Sequence, residues 1–480
     1  MSLQILLQGR ILGTEAFLLS GPGDELDFAG RAQWLSLLSE VLPRAIIAEL
    51  GLSKMLLGSS GGEQFLIVLP EEVRAIADDF FVAARADMQR LSGGTLSLIW
   101  AVTENLGDWT VVRKRLNDEL LRKQGTPLGT GDPTAPVVPP ADPAYFAQLG
   151  EQLRHANSIA WNPDSPAALT TGAGKHTWAV GNNMDAIPLA RHTALTDDDN
   201  EVAEPAVLGR RAEGGALWGV LRGDVDDFGI RMRRLQTIEE HVQISVMYKQ
   251  FFAGELEVLA SLPDFWRKVT LLYAGGDDFA IYGAWDSLIA FARELKRLFH
   301  RFSEEKLKDF PGQEGKTITM ALALAPEPGS RIDSMFERAG DKLSIAKATD
   351  KDCFNLLGRT LEWKQVSDAG ELKDQLTRMV TDFGASPEYI RELCGIYRET
   401  KKTGGGQRSR VERPWRFHRR LNRILGTSRS REYQKARASL VTDLAGKNPA
   451  NLKLRPSGRV ALEWARLATE RREAAQRLHR

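Results

Sequence analysis

Cysteine is almost missing from this chain: Cys353 and Cys394 are the only two among 480 residues. That excludes a disulfide scaffold and any four-cysteine zinc site, and it suits a reducing cytoplasm. Net charge is missing too. The 64 Lys and Arg balance 63 Asp and Glu, leaving +1, so the overall charge makes no case for nucleic acid. No segment approaches the ~20 apolar residues that span a bilayer, so no membrane association is expected. The opening Met-Ser-Leu-Gln-Ile-Leu-Leu-Gln-Gly-Arg has no basic stretch, and its apolar run is too short for a signal peptide. What is present is an ordinary globular composition, 42% apolar and 26% charged, at a length that allows about three or four domains.

The most informative stretch is Leu271-Leu-Tyr-Ala-Gly-Gly-Asp-Asp-Phe-Ala-Ile-Tyr-Gly283. It reads as a β-hairpin whose turn is Gly275, Gly276, Asp277 and Asp278. Glycines permit positive φ and close approach of a ligand. Two adjacent carboxylates at the tip of an apolar hairpin suit a divalent metal, since Mg²⁺ prefers carboxylate and phosphate oxygens. An ordinary turn uses the same letters. A second acidic cluster separates the two readings. The apolar run Ala216 to Leu221 leads into Gly223-Asp224-Val225-Asp226-Asp227-Phe228-Gly229. In an extended chain Asp224 and Asp226 share a face. A strand ending in Asp-x-Asp, a helix, then an Asp-Asp hairpin is the layout of a palm-type nucleotidyl transferase. There, two metals activate a hydroxyl and stabilise the leaving pyrophosphate.

The first 125 residues repeat this unit. Gly61-Gly62-Glu63-Gln64-Phe65 matches Gly275 to Phe279 at an offset of 214, and the same offset puts Gly9-Arg10 on Gly223-Asp224. Thr95 to Val102 resembles Thr317 to Leu324, and Leu35, Leu38, Leu42, Ile46 and Leu50 recur at helical spacing between the marks. The copies differ where chemistry would sit: Arg10 replaces Asp224, and Glu63-Gln64 replaces Asp277-Asp278. The first copy therefore reads as a degenerate palm that still forms half of a nucleotide pocket across a pseudo-symmetric interface.

The rest of the chain fits around these two units. Residues 126–143 are dense in Pro and Gly and read as a linker. A short helix follows with Phe146, Leu149 and Leu153 on one face. Residues 160–215 show no clear period, and their Asp197-Asp198-Asp199-Asn200 run reads as a solvated loop. In the second unit a long helical region runs through Ile230, Leu235, Val242, Val246, Phe251 and Phe252. The next helix has an apolar stripe from Leu288 to Phe302, with Asp286 or Ser287 as N-cap. A strand at 317–325 and a helix at about 332–348 complete the unit. Lys347, near the end of that helix, is a candidate phosphate contact, although a lysine there also suits the helix dipole. The expected fold is α+β: two ferredoxin-like palms (1–125 and 216–365), a linker domain (126–215) and a helical C-terminal domain (366–480).

Residues 217–363 resemble the second palm of the type III CRISPR large subunit, the Cas-ten family of Csm and Cmr complexes. Gly223 to Gly229, Phe251-Phe252-Ala253-Gly254, Tyr273 to Asp278 and Ala346-Lys347 carry the resemblance. Gly9-Arg10-Ile11-Leu12-Gly13, Gly30-Arg31-Ala32 and Ser60-Gly61-Gly62 resemble the family's first palm. The resemblance implies a cytoplasmic subunit that assembles with guide RNA, target RNA and other Cas proteins: backbone, small and guide-end-capping subunits. On target binding it joins ATP into cyclic oligoadenylates. Carried over by position, Asp224, Asp277 and Asp278 are catalytic, and together with Val225 they make the site for Mg²⁺ or Mn²⁺. Gly275, Gly276, Phe228 and Lys347 contact ATP.

Three departures qualify that carry-over. No His-Asp dipeptide occurs, so DNA cleavage by a nuclease domain is not expected. Residues 126–215 hold no cysteine, so the family's zinc site is not expected either. Asp227-Phe228 stands where Asn-Leu is common. The C-terminal part carries a basic stretch from Lys401 to Arg437 with Trp415 and Phe417 interleaved. Its Arg410, Arg416, Arg419, Arg420 and Arg423 are candidates for RNA or subunit contact. Two alternatives to the synthase stay open from the residues alone: a catalytically silent scaffold, and a diguanylate-cyclase-like enzyme with the same hairpin.

Overall fold

The structure is a computed structural model. It describes residues 3–125, 144–181, 186–198, 201–386, 388–402, 414–426, 430–445 and 456–478. The proposed linker at 126–143 and Arg410 lie outside these residues.

The first unit runs β1 (Gln4–Leu12), α1 (Thr14–Leu19), α2 (Glu25–Glu49), β2 (Leu57–Gly61), β3 (Gln64–Pro70), α3 (Arg74–Leu91), β4 (Ser97–Glu104) and α4 (Trp109–Gly125). Its four strands pair antiparallel in the order β2-β3-β1-β4. Between the units stand α5 (Tyr145–Leu153), a two-stranded ribbon of β5 (Ser158–Trp161) and β6 (His176–Ala179), and α6 (Pro205–Arg210). The second unit begins with β7 (Trp218–Val225), α7 (Phe228–Arg234), α8 (Ile238–Gln250) and α9 (Leu256–Ala260). It continues through β8 (Val269–Ala274), β9 (Asp278–Ala284), α10 (Trp285–Lys306), β10 (Ile318–Leu324) and α11 (Ile332–Thr349). β11 (Cys353–Leu356) and β12 (Arg359–Glu362) extend its sheet to six strands, ordered β12-β11-β10-β7-β9-β8. Helices α12 (Trp363–Thr381), α13 (Glu388–Lys402), α14 (Pro414–Ile424), α15 (Arg431–Ala445) and α16 (Pro456–Leu478) follow.

Both palms therefore have the same ferredoxin-like core, with the first strand flanked by the third and the fourth. The sequence offset of 214 is also a structural one. Gly9 faces Phe65 across β1 and β3, and Gly223 faces Phe279 across β7 and β9. In both places the ring lies over the glycine. A Cβ on Gly9 would stand 2.1 Å from Phe65, and one on Gly223 would stand 2.3 Å from Phe279. The Ile11 N–H donates to Glu63 O at 2.8 Å, and its counterpart Val225 N–H donates to Asp277 O at 2.9 Å. The strand-to-helix turn repeats as well. Gly13 (φ +86°) and Asp227 (φ +57°) both precede their helices in the left-handed region. Asp tolerates that conformation better than most residues.

The palms pack face to face and in reciprocal fashion. Helix α2 of the first lies against β8 of the second, and α8 of the second lies against β2 of the first. Leu35, Leu38, Leu42 and Ile46 keep their helical spacing in α2, but they are not its only buried face. Its buried residues, from Phe28 and Trp34 to Leu42 and Ile47, run round the helix, because α5 and both sheets cover it. Gly30 permits the α5 crossing, since a Cβ there would stand 1.8 Å from Phe146 O. One core joins Trp34 and Phe65 of the first palm, Phe146 and Trp161 of the connecting segment, and Val220, Leu272 and Tyr282 of the second sheet. The opposite face of that sheet, with Phe279 and Ile281, shares a core with α10 and the C-terminal helices.

Two further expectations change. The helical region after Asp227 is broken at Leu235–Thr237, where Thr237 caps α8 by accepting from Glu240 N–H, and its buried positions are Ile244 and Tyr248 rather than Val242 and Val246. Helix α10 starts at Trp285 with Ala284 as N-cap, so Asp286 lies in the first turn instead of ahead of it. In the connecting segment Asp197 pairs with Arg211 at 2.7 Å, which fits a structural loop.

Candidate functional site

The register of the second sheet sets the acidic pair. β7 is an inner strand, and Asp224, near its end, stands opposite Asp278 at the start of β9 and opposite Thr319 of β10. Cross-strand partners project to the same face, so Asp224 and Asp278 converge. Asp226 also lies on this side, but its carboxylate is spoken for. It accepts from Thr317 Oγ1 at 2.8 Å, from Thr319 Oγ1 at 2.7 Å and from the Asp352 N–H at 3.0 Å, and it is 2% exposed. Asp226 clamps β10 and the loop before β11. Asp227 is held by Lys351 at 2.7 Å.

The hairpin turn differs from the expectation. Neither Gly275 nor Gly276 has a positive φ, whereas Gly61, Gly62 and Glu63 of the first palm all do. What the second-palm glycines supply is room. The tips of the two hairpins abut glycine to glycine: a Cβ on Gly276 would stand 3.6 Å from Gly62 Cα, and one on Gly62 would stand 3.5 Å from Gly276 Cα. A Cβ would just touch the opposite backbone here, and at Gly62 the φ of +60° is what favours glycine.

Two hollows flank the junction, related by the same pseudo-symmetry. One, of about 210 Å³, is lined by Asp278, Tyr273, Gly275 and Arg222 of the second palm and by Glu63, Thr14, Leu18, Leu35 and Ser36 of the first. The other is nearly closed at about 30 Å³; it pairs Gln64, Ser59, Gly61 and Gln8 with Asp277 and Phe228. Each hollow thus receives a residue from both hairpins. Adjacent Asp277 and Asp278 diverge into different hollows, and Glu63 of the degenerate palm crosses into the larger one. Phe228 belongs to the smaller hollow, packed edge-on to Tyr248 at 4.9 Å between centroids.

Negative charge at this interface is poorly compensated. Burial, with Asp278 and Asp224 nearby, pushes Asp277 well above the usual carboxylate range. Burial raises Asp278 to about 6, against a hydrogen bond donated by Tyr273 Oη at 2.8 Å. Asp224 and Glu63 are also raised, mainly by burial. The Tyr273 phenol is lifted well above its ordinary value by burial and by Asp278. Two cations stand near. Lys347, in the last turn of α11, pairs with Asp224 Oδ1, and its Nζ is 3.5 Å from Val225 O. Arg222 lies 4.0 Å over the Phe336 ring, touches Glu15 at 3.4 Å and leaves its Nε without a partner.

These donors fit a hard divalent ion. They are carboxylates and a backbone carbonyl, they carry more negative charge than their neighbours offset, and an ammonium already stands on Asp224 and Val225 O. Among the described residues, no three His, Cys, Asp or Glu side chains converge closely enough to hold an ion. Closing the cluster therefore requires side-chain movement.

The structure thus brings together Asp224, Val225, Asp278, Lys347 and Gly275, with Gly276 and Asp277 at the shared junction. It sets Phe228 in the smaller hollow. Arg416, Arg419, Arg420 and Arg423 fall on α14, which packs with α13 and α15, and Arg419 and Arg423 are exposed there. Glu63, Arg222, Tyr273 and Thr14 join the site although sequence reasoning gave them no role. The offset of 214 placed Glu63 on Asp277 and was the available signal for one of them.

Residues 217–355 match the family model of Cas10/Cmr2, second palm domain. A CRISPR system single-strand-specific deoxyribonuclease Cas10/Csm1 (subtype III-A) of Mycobacterium tuberculosis is 30% identical over 211 residues, 39% of this chain and 24% of that protein. Its counterpart in Enterococcus italicus is 28% identical over 156 residues, 31% of this chain and 19% of that protein. The matches thus span a quarter or less of these curated relatives. Among solved structures, a Csm1-Csm4 cassette in complex with cA4 superposes with a TM-score of 0.70 at 16% identity, covering 97% of this chain and 70% of that one. A Csm1-Csm4 cassette in complex with one ATP gives 0.61 at 19% identity over 75% of this chain and 57% of that one. The α+β fold of paired palms is therefore shared with these structures. Among the described residues no helix is long and apolar enough to cross a membrane.

Proposed function

We propose that this chain is a large subunit of a type III CRISPR effector complex, and that its second palm joins ATP into cyclic oligoadenylates when target RNA binds. The observation that carries the reading is the Asp224–Asp278 pair, set by strand register beside a palm–palm hollow into which both hairpins project. The likeness to Csm1 in cassettes with ATP and cA4 supports it. In this reading the guide RNA, target RNA and other Cas subunits are partners, and the cytoplasm is the compartment.

The residues have distinct tasks. The larger hollow offers apolar walls from Leu18, Leu35 and Phe336 for a base, and hydrogen-bonding groups from Thr14, Ser36, Glu63 and Arg222. Arg222, with an unpartnered Nε, suits an acceptor on the nucleotide. Asp224, Asp277, Asp278 and the Val225 carbonyl would hold Mg²⁺ or Mn²⁺, which supplies activation of the attacking ribose hydroxyl and stabilisation of phosphate charge. Gly275 and Gly276 leave the backbone approachable, and Lys347 reaches phosphate oxygens. With the smaller hollow opened to admit a second nucleotide, hairpins that meet tip to tip would bring a hydroxyl on one nucleotide towards the α-phosphate of the other. The exposed arginines of α14 are surface for RNA or a neighbouring subunit.

Turnover of radiolabelled ATP by the reconstituted complex, with and without matching target RNA, tests the reading. Target-dependent products that vanish in Asp277→Ala/Asp278→Ala are expected. Absence of any nucleotide product under every metal and target would leave the chain a scaffold.

A further inference from the structure

Before any ligand arrives, a lysine stands on the metal ligands. Lys347 Nζ pairs with Asp224 Oδ1 and lies 3.5 Å from Val225 O. Those are the carboxylate and the carbonyl that the proposed function gives to a divalent ion. An ammonium and a metal compete for them. Both draw on the same negative charge, and two unit charges 4 Å apart repel by about 4 kcal/mol at the effective dielectric of a protein surface, more for a dication. The contact is not a chance surface pair. Both side chains are half-buried. α11 is pinned by Met335, Phe336 and Ala339 in the inter-palm core, which fixes where the lysine stem begins. The four-carbon stem leaves the charge itself free to swing.

We propose that Lys347 is a placeholder cation. It neutralises Asp224 and occupies Val225 O while the site is unloaded, and it gives both up when a nucleotide triphosphate enters with its metal. The phosphates then offer the displaced ammonium a new partner beside the old one. Metal alone offers it nothing, so metal alone must expel a charge from a half-buried pocket. The device makes metal binding depend on nucleotide, and by linkage nucleotide binding depends on metal to the same degree. A site so arranged stays free of the ions that surround it until substrate is present. This rests on the metal-site reading under Proposed function, and the two can fail separately.

The test is Mn²⁺ binding to the full chain, read by electron paramagnetic resonance of free Mn²⁺, with and without a non-hydrolysable ATP analogue. The parent, Lys347→Met, Lys347→Arg and Asp224→Asn are compared after a check that each folds. The parent should bind Mn²⁺ weakly alone and at least about ten times more tightly with the analogue. Lys347→Met should bind Mn²⁺ alone about five- to tenfold more tightly than the parent, and its gain from the analogue should shrink to match. Lys347→Arg, which keeps a cation in place, should behave as the parent. The proposal is overturned if Lys347→Met binds Mn²⁺ alone no better than the parent, or keeps the full gain from nucleotide. If the parent and Asp224→Asn bind alike under every condition, the metal site itself is refuted, and the placeholder with it.

Discussion

Asp278 carries part of the cost of assembling the site. Its ordinary value lies near 3.8, and burial raises it to about 6 in the fold. A raised carboxyl favours the folded state only while protonated, so its contribution is full below the ordinary value and is lost as pH climbs through about 6. Asp278→Asn removes that loss. Without divalent ions, the variant should be more stable than the parent at pH 8, by about 1–2 kcal/mol. The difference should fade towards pH 4. Chemical denaturation at the two values checks it, and a constant difference would mean the amide acts through packing. Glu63 invites a second test. If it is a working part of the larger hollow, Glu63→Gln should weaken analogue binding to the full chain several-fold while leaving the melting temperature within a few degrees. Calorimetric titration reads the first and a thermal scan the second. Asp277 and Asp278 stood out in the sequence because adjacent charges on an apolar hairpin have no folding motive, and Asp224 because it ends an apolar strand in an Asp-x-Asp run. Arg222 and Tyr273 did not, since an arginine and a tyrosine inside a strand give no sign of which neighbour they will meet. Asp226 misled for a related reason: spacing showed its face but not the two threonine hydroxyls waiting across the sheet.

Within single elements, the repeated glycine–phenylalanine contact is the sharpest constraint. Gly223→Ala would put a methyl into the Phe279 ring and should cost about 1–3 kcal/mol. Phe279→Leu opens that space, so the double variant should lose less than the sum of the two singles. A double-mutant cycle by denaturant unfolding measures this, and simple additivity would refute the contact. The strand into Asp224, the hairpin and the strand at 317–325 followed from apolar runs, turn residues and the repeat, whereas β5, β6, β11 and β12 did not. Nor did helix surroundings. Leu35, Leu38, Leu42 and Ile46 gave the period of α2 correctly, yet the sequence of that helix cannot state that α5 and a second sheet cover its remaining faces. The N-cap of α10 failed because Asp286, a good capping residue, falls two residues past the cap, where the strand before it runs straight into the helix.

Across the whole molecule the palms are held by buried charge as well as by apolar contact. Glu40 of α2 accepts from Lys249 of α8 at 2.9 Å, from Arg44 at 2.6 Å and from Ser60 at 2.8 Å. Burial alone would raise Glu40, but Lys249 and Arg44 outweigh it and hold the carboxyl below its ordinary value. Lys249→Met leaves that carboxylate with one cation fewer at the interface. It should destabilise the chain by about 3 kcal/mol, and adding Glu40→Gln should recover part of the loss. Because one core runs through both palms, the loss should lower a single transition in a thermal scan. Two resolved transitions would show that the palms unfold independently. None of this pairing could be read from the sequence, where Glu40 and Lys249 are ordinary charged residues far apart.

The glycine-to-glycine junction of the hairpins also bears on ancestry. Two identical chains meeting at such a junction must keep every substitution in both halves, so a change that improves one hollow is imposed on the other. Once the halves are joined in one polypeptide, that obligation ends. Arg10 and Gln64 stand where the second palm has Asp224 and Asp278, while Glu63 keeps a carboxylate in the position of Asp277. Gly62 is held differently, since its φ of +60° favours glycine whatever lies opposite. The divergence of the two palms is thus bounded at the junction by backbone conformation.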